Sequence, residues 1–123
     1  MKKILVVDDE SDITASIKNG LKRNGFEVDT FNDPVAALEH YDVGMYDLLL
    51  LDIRMPKMNG FELYRELKKK GVTSKVCFFT AFEVYYDEFK KVFPALDVKC
   101  FIRKPITIAD LTAHINSELL AAD

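Results

Sequence analysis

The sequence predicts a three-layer, flavodoxin-like α/β domain, a (βα)5 unit with a five-stranded parallel sheet in the order 2-1-3-4-5. Short apolar runs alternate along the chain with segments whose apolar residues recur at helical spacing. The connections between them are short, and no repeat or Gly/Ser-rich linker divides the 123 residues. This alternation favours a parallel sheet with helices on both faces, because each crossover is right-handed and covers one face. We therefore expect one domain over residues 1–123.

The predicted strands are apolar runs bounded by charge or by turn signals. A short run rich in leucine and β-branched residues is typical of a strand buried on both faces of a sheet. The first and third runs are the clearest, because each is wholly apolar and is followed by an aspartate, Asp8 or Asp52. The predicted strands cover residues 4–7, 26–31, 48–51, 75–79 and 99–102.

Capping signals mark where the predicted helices begin. Ser11 or Asp12 offers an N-cap for the first helix. Asp33 followed by Pro34 opens the second, since proline is favoured at the first helical position. Thr107 caps the last helix, and apolar residues at helical spacing over 82–93 predict the one before it. The five predicted helices end at about residues 24, 40, 71, 94 and 119.

Composition excludes several classes of protein. Seventeen basic and twenty acidic residues give a net charge of -3, which provides no electrostatic footprint for direct nucleic-acid binding. The apolar run at the N-terminus is too short for a signal peptide or a membrane span, so we expect a cytoplasmic protein. Cys77 and Cys100 both lie in apolar runs. Free cysteine commonly behaves as a small hydrophobic residue, so we expect buried, reduced thiols.

Polar residues stand where the predicted strands end. Asp8 and Asp9 follow the first strand, Asp52 the third, Thr80 the fourth and Lys104 the fifth. The carboxyl ends of parallel strands share one sheet edge, and ligands bind there at the point where strand order reverses. Carboxylates converging in one cleft repel each other unless they take up protons, move apart or bind a cation. Oxygen ligands with room for water suit Mg²⁺.

A metal beside Asp52 would permit nucleophilic chemistry at its carboxylate. Attack on phosphorus would give an aspartyl phosphate, with the metal and Lys104 neutralising charge on the phosphoryl oxygens. Thr80 would donate a hydrogen bond to the same group. The residues alone therefore predict a phosphoryl-accepting site.

At these positions the chain resembles the response regulator receiver domain of two-component signalling, from the first strand to the last helix. Any acidic pair alone is a weak signal, but the ordered set, each member following a predicted strand, is specific. The matching segments are Val6-Val7-Asp8-Asp9-Glu10, Leu51-Asp52-Ile53-Arg54-Met55-Pro56 with Asn59-Gly60, Thr80-Ala81, and Phe101-Ile102-Arg103-Lys104-Pro105.

The resemblance implies a role for each matching residue. Asp52 would be the phosphoacceptor, and Asp9 a direct Mg²⁺ ligand. Asp8 would act on the metal largely through water, and the backbone carbonyl of Arg54 would complete the protein ligands. Lys104 would bind the phosphoryl group, and Thr80 would move toward it. Phe101 would be the aromatic residue that changes position with Thr80. The resemblance also implies a cis Lys104-Pro105 bond.

The resemblance also implies partners. The phosphoryl group would come from the phosphohistidine of a histidine kinase or from a phosphotransfer protein. The receiver would act on a protein target or output domain, with homodimer formation on phosphorylation as a further expectation. The readout face would comprise the helix over 82–93, the fifth strand and the last helix, where Val84 and Leu120 would add apolar contacts. Because the sequence stops at Asp123, we expect either a stand-alone regulator or an excised receiver.

The competing hypothesis is an enzyme, an aspartate-nucleophile, Mg²⁺-dependent phosphatase of the haloacid dehalogenase kind. That family requires a second aspartate two residues after its nucleophile. Arg54 stands there after Asp52, and Glu10 stands there after Asp8. The sequence therefore favours a signalling phosphoacceptor that assists its own phosphorylation and dephosphorylation, and not a phosphatase with steady turnover.

Overall fold

A computed structural model of the chain describes residues 1–81 and 100–121, and over residues 1–81 its strands and helices alternate as the sequence predicts. The predicted helix over 82–93, with Val84, lies outside the described residues. Of the described part, no helix combines the length and apolar character needed to cross a membrane. The elements in chain order are β1 Lys3–Val7, α1 Ser11–Arg23, β2 Glu27–Phe31, α2 Pro34–His40, β3 Leu48–Asp52, α3 Gly60–Lys69, β4 Lys75–Thr80, β5 Cys100–Arg103 and α4 Ile108–Leu120.

The five strands form one parallel sheet in the order β2-β1-β3-β4-β5, which confirms the predicted fold class. β3 lies at its centre and is buried along its whole length, as its unbroken leucine run predicts. Side chains alternate between the two sheet faces, so Leu49 and Leu51 join one apolar cluster while Leu48 and Leu50 join the other. The core is thus divided into two layers, one on each side of the sheet.

Each layer is closed by helices whose ends the sequence marks. Asp33 caps α2 by accepting a hydrogen bond from the Val35 amide at 3.0 Å. Thr107 caps α4 by accepting one from the Asp110 amide at 3.1 Å. Both caps confirm the predicted helix starts, because each side chain satisfies an amide that has no partner inside its own helix.

The start of α1 corrects one prediction. The N-cap is Glu10, and neither Ser11 nor Asp12 occupies that position. Asp8 closes the turn that leaves β1 by accepting the Glu10 amide at its Oδ1 atom, at 2.9 Å. The helix therefore begins immediately after this turn, one residue earlier than hydroxyl and carboxylate capping preferences predict.

The two cysteines correct a second prediction. Cys77 and Cys100 are joined by a disulfide, so the expectation of two reduced thiols is wrong for this structure. Cys77 is fully buried and Cys100 is partly buried. The two residues are register partners on the neighbouring strands β4 and β5. Apolar context predicts burial of the kind seen at Cys77, but it contains no information about strand register.

Candidate functional site

The carboxyl edge of the sheet gathers four buried polar side chains. Asp8 follows β1 and is 0% exposed, and Lys104 follows β5 and is 9% exposed. Asp52 and Thr80 are 5% and 2% exposed. They are the last residues of β3 and β4, whereas the predicted strand four ended one residue before Thr80 and predicted strand three one before Asp52. The sheet therefore places charged side chains at a site where little of their surface meets water.

Lys104 connects two of the acids. Its Nζ atom donates a short hydrogen bond to Oδ2 of Asp8 and lies 3.7 Å from Oδ1 of Asp52. The same ammonium lies 4.9 Å from the centroid of the Phe79 ring, where a cation interacts favourably with the π face. The backbone amide of Lys104 donates to the Thr80 carbonyl at 2.8 Å, and the Lys104-Pro105 bond is cis.

Asp52 carries an altered affinity for protons. Burial and, to a smaller extent, the negative charge of Asp8 raise the pKa of its carboxyl to about 7. The ammonium of Lys104 and a hydrogen bond from the Ile53 backbone act in the opposite direction. Burial and like charge outweigh the single lysine, so this cleft holds more negative charge than its cation can balance.

Asp8 also belongs to a cluster of three acidic side chains. One carboxylate oxygen each from Asp8, Asp9 and Glu10 falls within 4.8 Å of the others. Asp8 is buried, while Asp9 and Glu10 are exposed. Oxygen donors that are partly open to water suit Mg²⁺, which keeps several water ligands when it binds protein. The donor chemistry and the excess negative charge therefore fit a magnesium ion. Glu10 is a nearby carboxylate that is not among the metal ligands expected from the sequence.

Two residues that support Asp8 also went unnoticed in the sequence. The Asn32 side-chain amide donates to the Asp8 carbonyl at 2.8 Å and to Oγ1 of Thr14 at 3.0 Å. Thr14 in turn donates to the Ser11 carbonyl at 3.1 Å. Asn32 directly follows β2, so the strand-end rule applied to the acids could have identified it.

The segment from the end of β3 to the start of α3 packs closely against the backbone of Asp52. Gly60 donates its backbone amide to the Ile53 carbonyl at 2.8 Å, and a Cβ atom at this position would overlap the Asp52 carbonyl oxygen. Only glycine permits this approach. Asn59 and Glu62 form a reciprocal capping box that fixes the start of α3 at the same point. Arg54 lies in this loop with an exposed side chain.

Phe101 lies on β5 as the register partner of Phe78 on β4. Its ring is partly buried and stacks against Phe78 at a centroid distance of 5.5 Å and an interplanar angle of 29°. Leu120, on the last turn of α4, is 87% exposed. Phe101 packs against the apolar cluster on one face of the sheet, whereas α4 packs against the cluster on the other face through residues such as Leu111.

Comparisons with known proteins point to one family. The family model described as "Response regulator receiver domain" matches residues 4–116. The alkaline phosphatase synthesis transcriptional regulatory protein PhoP of Bacillus subtilis is 32% identical over 119 residues, which are 96% of this chain and 48% of that protein. The chain spans about half the length of the curated relatives that it matches first.

Solved structures agree with this similarity. The response regulator protein TrrA of Thermotoga maritima, in complex with Mg²⁺ and BeF, has a TM-score of 0.79 at 32% identity and covers 98% of this chain and 100% of that one. TrrA in complex with the histidine kinase ThkA gives a TM-score of 0.80 at 34% identity, with the same coverage.

Proposed function

Because this chain belongs to the response regulator receiver family, we propose that residues 1–123 form one receiver domain that accepts a phosphoryl group on Asp52. The donor would be the phosphohistidine of a histidine kinase or of a phosphotransfer protein. The complex of the related protein TrrA with a histidine kinase supports this type of partner. The proposal includes a cytoplasmic location and a protein target or output domain as recipient of the signal.

The observation that carries the proposal is the burial of Asp52 beside Asp8 and Lys104. In the transfer, an Asp52 carboxylate oxygen bonds to phosphorus while the phosphorus–nitrogen bond of the donor breaks, and the imidazole leaves with the electron pair. The Lys104 ammonium, 3.7 Å from Asp52, is placed to balance charge on the incoming phosphoryl oxygens. Asp52 supplies the nucleophile, and the cleft restricts the water that would compete with it.

Asp8, Asp9, Asp52 and the Arg54 carbonyl would hold Mg²⁺. Bound there, the ion would favour the ionised form of Asp52 and neutralise charge on the phosphoryl group. The complex of TrrA with Mg²⁺ and BeF supports the choice of metal. Burial and the neighbouring charge of Asp8, which together raise the pKa of Asp52, support the need for a cation.

Phosphorylation would then shift a conformational equilibrium. Converting a 1:99 mixture into a 99:1 mixture requires about 5.5 kcal/mol of differential stabilisation. Hydrogen bonds from Thr80 and Lys104 to the phosphoryl oxygens are the expected source, and Phe101 would follow Thr80. The readout face would include β5 and α4, where the exposed Leu120 offers an apolar contact. The net charge of -3 argues against direct nucleic-acid binding by these 123 residues alone. The curated relatives are named as transcriptional regulatory proteins and are about twice this length, so the expectation is not extended to a longer protein.

The protein would be a signalling phosphoacceptor that assists its own phosphorylation and dephosphorylation. The phosphatase alternative gains no support from the cleft, because Arg54 occupies the position at which that chemistry requires a second acid. No observation among the described residues favours it over the receiver.

The experiment is Mg²⁺-dependent phosphorylation by phosphoramidate, whose phosphorus–nitrogen bond mimics phosphohistidine. Asp9→Asn should lower Mg²⁺ affinity and phosphorylation together, on the order of tenfold or more. Asp12→Asn is the matched control, since it removes the same charge from an exposed position on α1. Equal phosphorylation of the two variants, or phosphorylation of the wild type in excess EDTA, would refute the metal-dependent mechanism.

A further inference from the structure

The disulfide between Cys77 and Cys100 lies outside the phosphoacceptor site and has no part in its chemistry. The two cysteines face each other across the parallel pair β4 and β5, with their Cα atoms 4.6 Å apart. This separation lies within the range that a disulfide spans without backbone movement. A slip of one residue in the register would turn one sulfur to the opposite face of the sheet. The register of β4 against β5 therefore places the two cysteines where they can form a disulfide.

The two cysteine residues differ in their exposure to solvent, although both pack in or against the same apolar cluster. Cys77 lies in the middle of β4 and is 0% exposed, inside the apolar cluster between the sheet and its helices. Cys100 is the first residue of β5 and is partly exposed. An oxidant dissolved in water therefore reaches the Cys100 sulfur first, and Cys77 is positioned to react only with its neighbour.

Helix α4 adds a third group. A carboxylate oxygen of Glu118 lies within 4.8 Å of both sulfurs. In the oxidised state the sulfurs are bonded to each other and are not available as thiolate ligands. In the reduced state the two thiolates and the carboxylate form a set that a soft divalent metal such as Zn²⁺ would accept. The disulfide in the structure favours the redox role over the metal site.

We propose that Cys77 and Cys100 are a reversible thiol–disulfide pair, oxidised by peroxides through Cys100 and closed by Cys77. In the first step the Cys100 thiolate attacks hydrogen peroxide, which gives a sulfenic acid and hydroxide, protonated to water. In the second, Cys77 attacks that sulfur, the S–O bond breaks, and a second water leaves as the disulfide forms. A dithiol reductant reverses the change and becomes a disulfide itself.

The Cys77–Cys100 disulfide should affect the stability of the domain because of where it lies. It ties β4 to β5, three residues before Thr80 and one residue before Phe101. A disulfide also removes conformational freedom from the unfolded chain, here over a sequence separation of 23. The oxidised form should therefore unfold at a higher denaturant concentration than the reduced form. This part of the inference rests on no step of phosphoryl transfer.

The test uses the full chain, which contains no other cysteine. Reduced protein is treated with hydrogen peroxide while folded, and its thiols are then counted by maleimide labelling after unfolding. The expected result is the loss of both thiols together, a mass decrease of two hydrogens, and full recovery with dithiothreitol. Thiols that survive peroxide in the folded protein but react after unfolding would overturn the proposal.

Single variants test the order of events. In Cys77→Ala, the remaining Cys100 should accumulate a sulfenic acid that dimedone traps. In Cys100→Ala, the buried Cys77 should stay a thiol under the same treatment. The reverse pattern would contradict the assigned roles. The wild type can also be titrated in glutathione buffers, which requires no variant. A single two-electron transition would support the thiol–disulfide pair. A reduced form that binds Zn²⁺ and resists oxidation would overturn the proposal.

Discussion

Lys104 hydrogen-bonds to Asp8, while its ammonium stays 3.7 Å from the nearer oxygen of Asp52. Lys104 thus balances the charge of the fully buried Asp8 more closely than the charge of Asp52. This asymmetry is consistent with the pKa of Asp52, which burial and the charge of Asp8 raise to about 7 despite the lysine. Of the two acids beside Lys104, the phosphoacceptor candidate is the one whose charge the lysine balances less closely.

The first prediction concerns the stability that this ion pair provides. Lys104→Met should lower the free energy of unfolding by about 3 kcal/mol, because it leaves the Asp8 carboxylate buried without its partner. Adding Asp8→Asn to that variant should recover part of the loss, since the unpaired charge is then absent. Urea denaturation of the three proteins and of Asp8→Asn alone completes the cycle. Purely additive effects would contradict the pairing.

The second prediction concerns pH. The folded-state pKa of Asp52, about 7, lies above the value of 3.8 for an unperturbed aspartate, so the folded protein binds the proton more tightly. The free energy of unfolding should therefore fall as pH rises between these values and level off above pH 7. Asp52→Asn removes this dependence. Its advantage over the wild type in EDTA should be larger at pH 8 than at pH 5 by about 2 kcal/mol. A constant difference would show that Asp52 titrates normally.

The third prediction concerns the glycine beneath Asp52. In Gly60→Ala the new Cβ would meet backbone atoms of Asp52 and Ile53, which cannot rotate away. We expect a loss of about 2 kcal/mol or more in the free energy of unfolding, together with weaker phosphorylation.

Gly20→Ala is the matched control, because there the atoms nearest to the new Cβ belong to the side chain of Ile108 and not to the backbone. Adding Ile108→Ala should relieve that clash. It should do nothing for Gly60→Ala. If Gly60→Ala retains wild-type stability, the close approach of α3 to the end of β3 is wrong.

The fourth prediction concerns Glu118. Its carboxylate lies near both sulfurs, and its charge repels the thiolate that must attack peroxide. Glu118→Gln should therefore speed oxidation of the reduced pair by several-fold, measured as thiol loss over time. Asp110→Asn removes the same charge from the first turn of α4, eight residues and about 12 Å away along the helix, and should leave the rate unchanged. Equal rates in both variants would contradict the local effect.

The sequence predicts the order of the elements well because each signal is local. The leucine run of β3, the Asp33 cap of α2 and the Thr107 cap of α4 are each contained in a few neighbouring residues. The strand-end rule also brings Asp8, Asp52 and Lys104 to one place, although their roles in phosphoryl transfer stay predictions. The N-cap at Glu10 was missed because a turn closed by Asp8 competes with ordinary capping preferences.

What the sequence did not predict depends on distances between segments far apart in the chain. The choice of Asp8 over Asp52 as the hydrogen-bond partner of Lys104 depends on how the ends of three strands meet at the sheet edge. The disulfide depends on the register of β4 against β5, and the approach of Glu118 depends on how α4 packs across those strands. Helical and strand periodicity describe each segment alone and therefore contain none of these relationships.

The most direct test of the central claim is to locate the phosphoryl group. The Mg²⁺-loaded protein is treated with acetyl phosphate and then with borohydride, which reduces an aspartyl phosphate to homoserine, and its peptides are sequenced by mass spectrometry. The account predicts homoserine at Asp52 in the wild type and in Asp12→Asn, and none in Asp52→Asn or without donor. Homoserine at another aspartate of the wild type, or undiminished phosphorylation of Asp52→Asn, would contradict it.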